Sequence, residues 1–398
     1  MSVFGVMQSK LSTYSNSVFP KSTAPITLET DDKLDFVLRL QTLIGCCPIS
    51  RVGNREKYYF FNWATPTAAF NFFATLYFSF MYVIFVTHSI LKWYFLFGEE
   101  IRYTFARGEE EFFSGTVVGG NKSAALNTFY AVILCMGLHE LTTLVLNWKS
   151  SSKLAGLLNN WLSIRKQFSQ TFTNGNGNQQ SELLQLKLNP HIGEVVGILK
   201  TRITWLDIVL CCYVLGSVLF PLVVVPLLID ANTPLIQIWF LFTFSCHYVT
   251  TEALEDVKNV LIYKSFYDAF KQTRSRIAEA IHSGKLNEAN VQAWRQLIKE
   301  IQSQCVLAGI CIMPMQLAFL LNILVSGTMC VYVGLNSLGS SRISILVSVF
   351  AGTMFSWWIG RLYVKVLLAE KITEIEAEIA NDLVKMDSAR YNASVMSQ

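Results

Sequence analysis

"IVLCCYVLGSVLFPLVVVPLLI", residues 208–229, carries no charged side chain and is closed by Asp230. A bilayer core about 30 Å thick takes roughly 20 apolar residues as α-helix, and helix is the default because lipid offers the backbone no hydrogen-bond partner. The stretch reads as a membrane-crossing helix. Five further windows read the same way: 58–91, broken only by His88; 123–147, interrupted by His139 and Glu140; 231–251, separated from the quoted run by Asp230 and an "NTP" turn; 301–341, ending in "GLNSLGSS"; and 343–360. The expected fold is an all-α polytopic membrane bundle of six spans, which puts both termini on one side. Residues 1–57 precede the spans, 58–368 contain them and 369–398 follow.

Composition agrees. Hydrophobic residues make up 52% of the 398-residue chain and charged residues 15%, with 28 Phe, 15 Tyr and 9 Trp, far more aromatic and apolar weight than a soluble domain carries. The opening "MSVFGVMQSK" lacks the basic and long apolar regions of a cleaved signal peptide, so the first span is expected to serve as its own insertion signal. Basic residues sort by loop. Lys92, Arg102, Arg107, Lys122 and Arg342 fall on one side, and the remaining 27 of 32, Arg361 and Lys365 among them, fall on the other. The positive-inside rule makes that richer side, with both termini, cytoplasmic. The sequon "NKS" at Asn121 then lies in an outside loop as a glycosylation candidate, whereas "NAS" at Asn392 is cytoplasmic and silent.

The cytoplasmic segments carry helical stripes. Val257, Leu261, Phe266, Phe270, Ile277 and Ile281 recur near helical spacing, and after the break "HSGK" so do Val291, Trp294, Leu297, Ile298, Ile301 and Cys305. These imply a helical hairpin over 252–303. Leu368, Ile372, Ile375, Ile379 and Leu383 form a third stripe, which continues the last span into the cytosol as an amphipathic helix that packs on its neighbours. The segment "TFTNGNGNQQS" at 171–181 reads as a loop.

Ionisable residues within spans are functional candidates. His139 and Glu140 lie in the inner half of the second span, and His247, Glu252, Glu255 and Asp256 descend the inner end of the fourth. "HELTT" lacks the second His of a zincin motif, no ligand spacing supports a metal, and no phosphate-binding, dinucleotide-binding or DNA-binding pattern is present. No metal, cofactor or nucleic-acid partner is expected. None of the nine Cys, which include the doublets Cys46/Cys47 and Cys211/Cys212, falls in a clear outside loop, so buried free thiols are expected rather than disulfides.

The cytoplasmic N-terminus, "LIGCCPIS" at 43–50, "LVLNWKSSSKLAGLLNNWLSIRKQF" at 144–168 and the amphipathic hairpin together resemble the insect gustatory and odorant receptor superfamily, over roughly residues 40–385. The resemblance implies a chemosensory subunit of a tetrameric, ligand-gated cation channel in the plasma membrane, homomeric or heteromeric. It implies a small-molecule pocket in the outer half of each subunit, cytoplasmic helices gathered into a shared anchor and a seventh, pore-lining helix. That helix carries a Thr-Tyr, five-residue, Gln-Phe pattern in the family. This sequence has no such pattern, and its closing stretch from Lys365 matches the cytoplasmic helix that precedes it, which puts conduction by the chain alone in doubt.

Depth and residue type pick out Tyr130, Gln237 and Trp239 as ligand-binding candidates in the outer half. The other reading of Tyr130 and Trp239 is an interfacial aromatic belt. A different class is also open: a six-span transporter or membrane-embedded enzyme using His139, Glu140 and His247. A G-protein-coupled receptor would need the opposite orientation and a seventh span.

Overall fold

A computed structural model describes residues 30–52, 58–106, 120–173, 205–228, 235–282, 288–337 and 342–396. It is an all-α protein apart from one short hairpin-like pair of strands. Helix α1 (Thr30–Ile44) leads into β1 (Ser50–Val52) and β2 (Tyr58–Phe60), followed by α2 (Pro66–Ala106), α3 (Gly120–Thr173), α4 (Trp205–Leu228), α5 (Leu235–His282), α6 (Glu288–Ser337) and α7 (Arg342–Met396). Each of the six apolar windows overlaps its own long helix, α2 to α7, within the described residues. Three stretches among the described residues, Pro66–Ile84, Trp205–Leu222 and Asn290–Tyr332, are long and apolar enough to cross a membrane.

Local chemistry sets the ends of the first elements. Helix α1 stops at Gly45, whose φ of 86° is costly for any residue with a Cβ. Gly45 N–H bonds Thr42 O at 3.1 Å and Cys46 N–H bonds Gln41 O at 2.8 Å, the paired closure of a Schellman cap. A Cβ on Gly45 would also sit 2.3 Å from that of Ala74, so the same glycine lets α1 approach α2. Tyr58, Tyr59 and Phe60 begin the first apolar window, yet they form β2, antiparallel to β1 with Arg51 opposite Tyr59. Aromatic residues suit a pleated edge. Asn159 of α3 then binds both sides of the Tyr59 peptide, accepting from its N–H at 2.8 Å and donating to its carbonyl at 2.6 Å. Helix α2 starts eight residues later than the window, where Thr65 Oγ1 accepts the Ala68 N–H at 3.2 Å and Pro66 fills the first helical position.

The main core gathers one end of the bundle. Leu34, Val37 and Leu38 of α1, Leu154, Leu158 and Trp161 of α3, Leu261, Phe266 and Phe270 of α5, Trp294, Leu297 and Ile301 of α6, and Ile375 and Ile379 of α7 are buried together. Val257, Leu261, Phe266, Phe270 and Ile277 of the first stripe, Val291, Trp294, Leu297, Ile298 and Ile301 of the second and Ile375 and Ile379 of the third face this core, and Cys305, Ile372 and Leu383 pack at its edge. A smaller cluster of Val132, Phe319, Ile323, Met354 and Trp358 continues along the bundle. Beyond it, apolar side chains turn outward, among them Leu215 and Leu219 on α4 and Met313, Leu317 and Leu321 on α6.

Several expectations are revised. Helix α3 runs unbroken through Thr173, so 171–173 of the expected loop are helical, and 174–204 lies outside the described residues. Asn121 sits in the first turn of α3 rather than in a loop, with its side chain outside the described ones. Cys211 and Cys212 are exposed on α4, whereas Cys46, Cys47, Cys311 and Cys330 are buried. Arg361 and Lys365, counted above among the charges of the cytoplasmic side, are buried, at 7% and 6% exposed.

Candidate functional site

Helix α5 carries two adjacent rows of polar side chains spaced four residues apart, and each row meets a different set of helices. Residues four apart share a helix face, so His247, Thr251 and Glu255 form one row and Tyr248, Glu252 and Asp256 the next. All six are buried, and Tyr248 is wholly so.

The second row meets α3, α4 and α7. Arg361 of α7 bonds Glu252 Oε2 through Nη2 and Asp256 Oδ2 through Nε. Lys365, one turn further on, pairs with Asp256 Oδ1 at 2.6 Å and donates to Gln316 Oε1 of α6 at 3.1 Å. His139 Nε2 lies 2.9 Å from Glu252 Oε1, and Tyr213 of α4 donates to Asp256 Oδ2 at 2.8 Å. The Arg361 guanidinium also stacks on Phe319 and Trp357, 4.3 and 4.6 Å from their ring centroids. Two acids one turn apart on α5 thus meet two cations one turn apart on α7. Charges taken out of water to this degree are tolerated only when paired and hydrogen-bonded, and here every cation and carboxylate of the row has a partner.

The first row meets α1, the turn after it, and α2. Gln41 donates to Glu255 Oε2 at 3.1 Å, and Lys258 pairs with the same oxygen at 2.6 Å. His247 stacks on Phe78 at 3.5 Å between centroids, with the Tyr82 hydroxyl 2.8 Å from Nδ1 and Cys46 Sγ 3.8 Å from Nε2. Cys46 also contacts Thr251 Oγ1 at 3.5 Å. Burial pushes the Cys46 thiol far up and the Cys47 thiol to about 11, with Lys258 pulling Cys47 part of the way back. Neither sulfur has the electropositive, accessible setting of a reactive thiolate.

Glu140 stands between the two rows. It is 0% exposed, and neither carboxyl oxygen has a hydrogen-bond partner of good geometry among the described residues. The Thr251 hydroxyl lies beside it, and His247 Nδ1 is 3.8 Å from Oε1.

The structure therefore brings His139, Glu140 and His247 into one buried region, with Glu252, Glu255 and Asp256. Among the described residues no three His, Cys, Asp or Glu side chains converge so as to hold a metal ion. Sequence reasoning missed Arg361, Lys365, Tyr213 and Tyr82. A signal for two of them was present: Arg361 and Lys365 follow one apolar run four residues apart, as Glu252 and Asp256 follow another. The ligand-binding candidates fare differently. Trp239 is 51% exposed on α5, and the side chains of Tyr130 on α3 and Gln237 on α5 lie outside the described ones.

Neither the family models nor the curated proteins compared with this chain give a match.

Proposed function

We propose that this chain crosses the membrane six times with both ends cytoplasmic and is a chemosensory subunit of a ligand-gated cation channel at the plasma membrane. The observation that carries the reading is an inverted polarity. Along α4 Ile208, Leu215, Leu219 and Leu222 face outward, while Glu252, Glu255, Asp256 and Lys258 of α5 and Arg361 and Lys365 of α7 are buried inside. That arrangement suits a lipid exterior, where intramembrane charges face the bundle interior and pair with one another. Beyond the paired charges the helices continue into a closed apolar body, which suits the cytoplasmic anchor of a tetrameric channel. Small-molecule binding falls to the outer half, with Tyr130, Gln237 and Trp239 as the residues to replace first.

Epitope tags at the N-terminus and within 107–119 test the orientation in intact cells. The N-terminal tag should be protected and the loop tag accessible; the reverse pattern sinks the proposal. Cells co-expressing the chain with a related receptor subunit should then show tastant- or odorant-evoked cation current that Trp239→Ala weakens. Assembly is tested on outward-facing Val384 (66% exposed), since Ile375 packs within its own subunit and its replacement would test folding instead.

One observation favours a second reading. Glu140, unpartnered beside His247 and one residue from His139, is the constellation that a six-span transporter or membrane-embedded enzyme would use. On that reading Glu140→Gln abolishes solute movement or turnover while the protein still assembles.

A further inference from the structure

Among the four buried carboxylates around α5, three have cations and one has none. Glu252 and Asp256 share Arg361 and Lys365, and Glu255 holds Lys258. Glu140 of α3 has no Lys or Arg within ion-pair distance among the described residues, and its two oxygens lack hydrogen-bond partners. Its one basic neighbour, His247, is 3.8 Å away and already takes the Tyr82 hydroxyl on the nitrogen that faces Glu140. When the Tyr82 hydroxyl donates to Nδ1, the ring hydrogen is on Nε2, which lies 3.8 Å from Cys46 Sγ.

The groups facing Glu140 come from every element packed around it. They are Tyr82 from α2, Cys46 from the turn after α1, His247, Tyr248, Thr251, Glu252 and Glu255 from α5, and Arg361 from α7. Arg361 attracts a negative charge on Glu140, but Glu252 and Asp256 already bind that guanidinium, and Glu252 and Glu255 repel a further charge. An ionised carboxylate buried with only the Thr251 hydroxyl beside it as a donor costs far more than the neutral acid, which needs only one acceptor for its O–H.

We propose that Glu140 is a proton-binding site built into the bundle, with the proton as its ligand and His247 as the neighbour that exchanges it. In the closed arrangement the carboxyl holds the proton. When Tyr82 turns away and the 3.8 Å gap to Nδ1 closes, the O–H bond of Glu140 breaks, the proton bonds to Nδ1, and a carboxylate–imidazolium pair forms with no change in net charge. The exchanging groups are Glu140 of α3, His247 of α5 and Tyr82 of α2, and the site stands or falls separately from the receptor reading.

The test is infrared spectroscopy of the full chain in lipid nanodiscs at neutral pH. A buried protonated carboxyl gives a C=O stretching band that carboxylates lack. The wild-type protein should show it, Glu140→Gln should lose it, and Glu140→Asp should keep it at a shifted frequency. No such band in the wild type, or an unmoved band in either variant, overturns the proposal. Should Glu140→Gln fail to fold, the Glu140→Asp shift decides alone. Absent ligand-evoked currents would count against the receptor reading and leave this band untouched.

Discussion

Helices α4 and α5 invert one another. Helix α4 is almost without charge, and Ile208, Val209, Leu215, Leu219 and Leu222 are exposed along it. Helix α5 between 247 and 259 carries five charged or titratable side chains besides Tyr248, and all of them are buried. In water the pattern would be backwards, since exposed charge and buried hydrocarbon is the stable arrangement there. On the proposed membrane reading, the difference records two solvents acting on one chain. Apolar contact with the surroundings stabilises α4, whereas α5 is held by pairing inside, and the two helices should respond differently to the same kind of change.

The largest response is expected at Arg361. Arg361→Met leaves Glu252 with His139 alone and Asp256 with Lys365 and Tyr213, and the loss of one partner from such a buried pair costs about 3–5 kcal/mol. Thermal unfolding in detergent should show a large fall that the added changes Glu252→Gln and Asp256→Asn substantially restore; no restoration would mean that packing, not charge, holds this end of α7.

A cavity in the apolar body comes next. Leu297, fully buried, should cost roughly 2–5 kcal/mol when replaced by Ala, read by the same unfolding assay.

Thiol chemistry sharpens the comparison. With its thiol pushed to about 11, Cys47 should be alkylated on the order of 100-fold more slowly than a free cysteine at mildly alkaline pH. Cys211 and Cys212 are exposed on α4 and have no such protection from the fold. In membranes a charged maleimide should nevertheless spare them, while a lipid-soluble one labels them; labelling by the charged reagent would place α4 in water. The smallest effect belongs to α4 itself, where Leu219→Ala should change stability in detergent by less than about 0.5 kcal/mol.

What the sequence disclosed, and what it hid, follows from the range of each signal. Helices α2 to α7 were legible because an apolar run of span length has few other uses, and the stripes through Leu297 and Ile375 were legible because period 3.6 is a local property. The start of α2 was not, because Tyr58, Tyr59 and Phe60 are as suited to a strand as to a span, and the choice depends on Asn159, a hundred residues away. At the site, His139, Glu140 and His247 stood out as ionisable residues within apolar runs. Arg361 did not, because a basic residue at the end of a span is ordinarily a solvated inner-side charge, and only tertiary structure reveals that α5 brings two carboxylates to meet it. Cys46 was expected to be a buried thiol and is one; that it touches His247 could not be read from a spacing of two hundred residues.

The paired spacing of Glu252 with Asp256 and Arg361 with Lys365 makes the contact between α5 and α7 a notched scale. A helix advances about 5.4 Å per turn, so acids and bases set one turn apart register only at discrete axial settings. If α7 slid by one turn, one acid would keep a cation and the other would be left facing hydrocarbon. Intermediate positions would leave both unmatched. Axial travel of the last helix is thereby quantised, with the observed setting as the one notch at which every tooth is engaged.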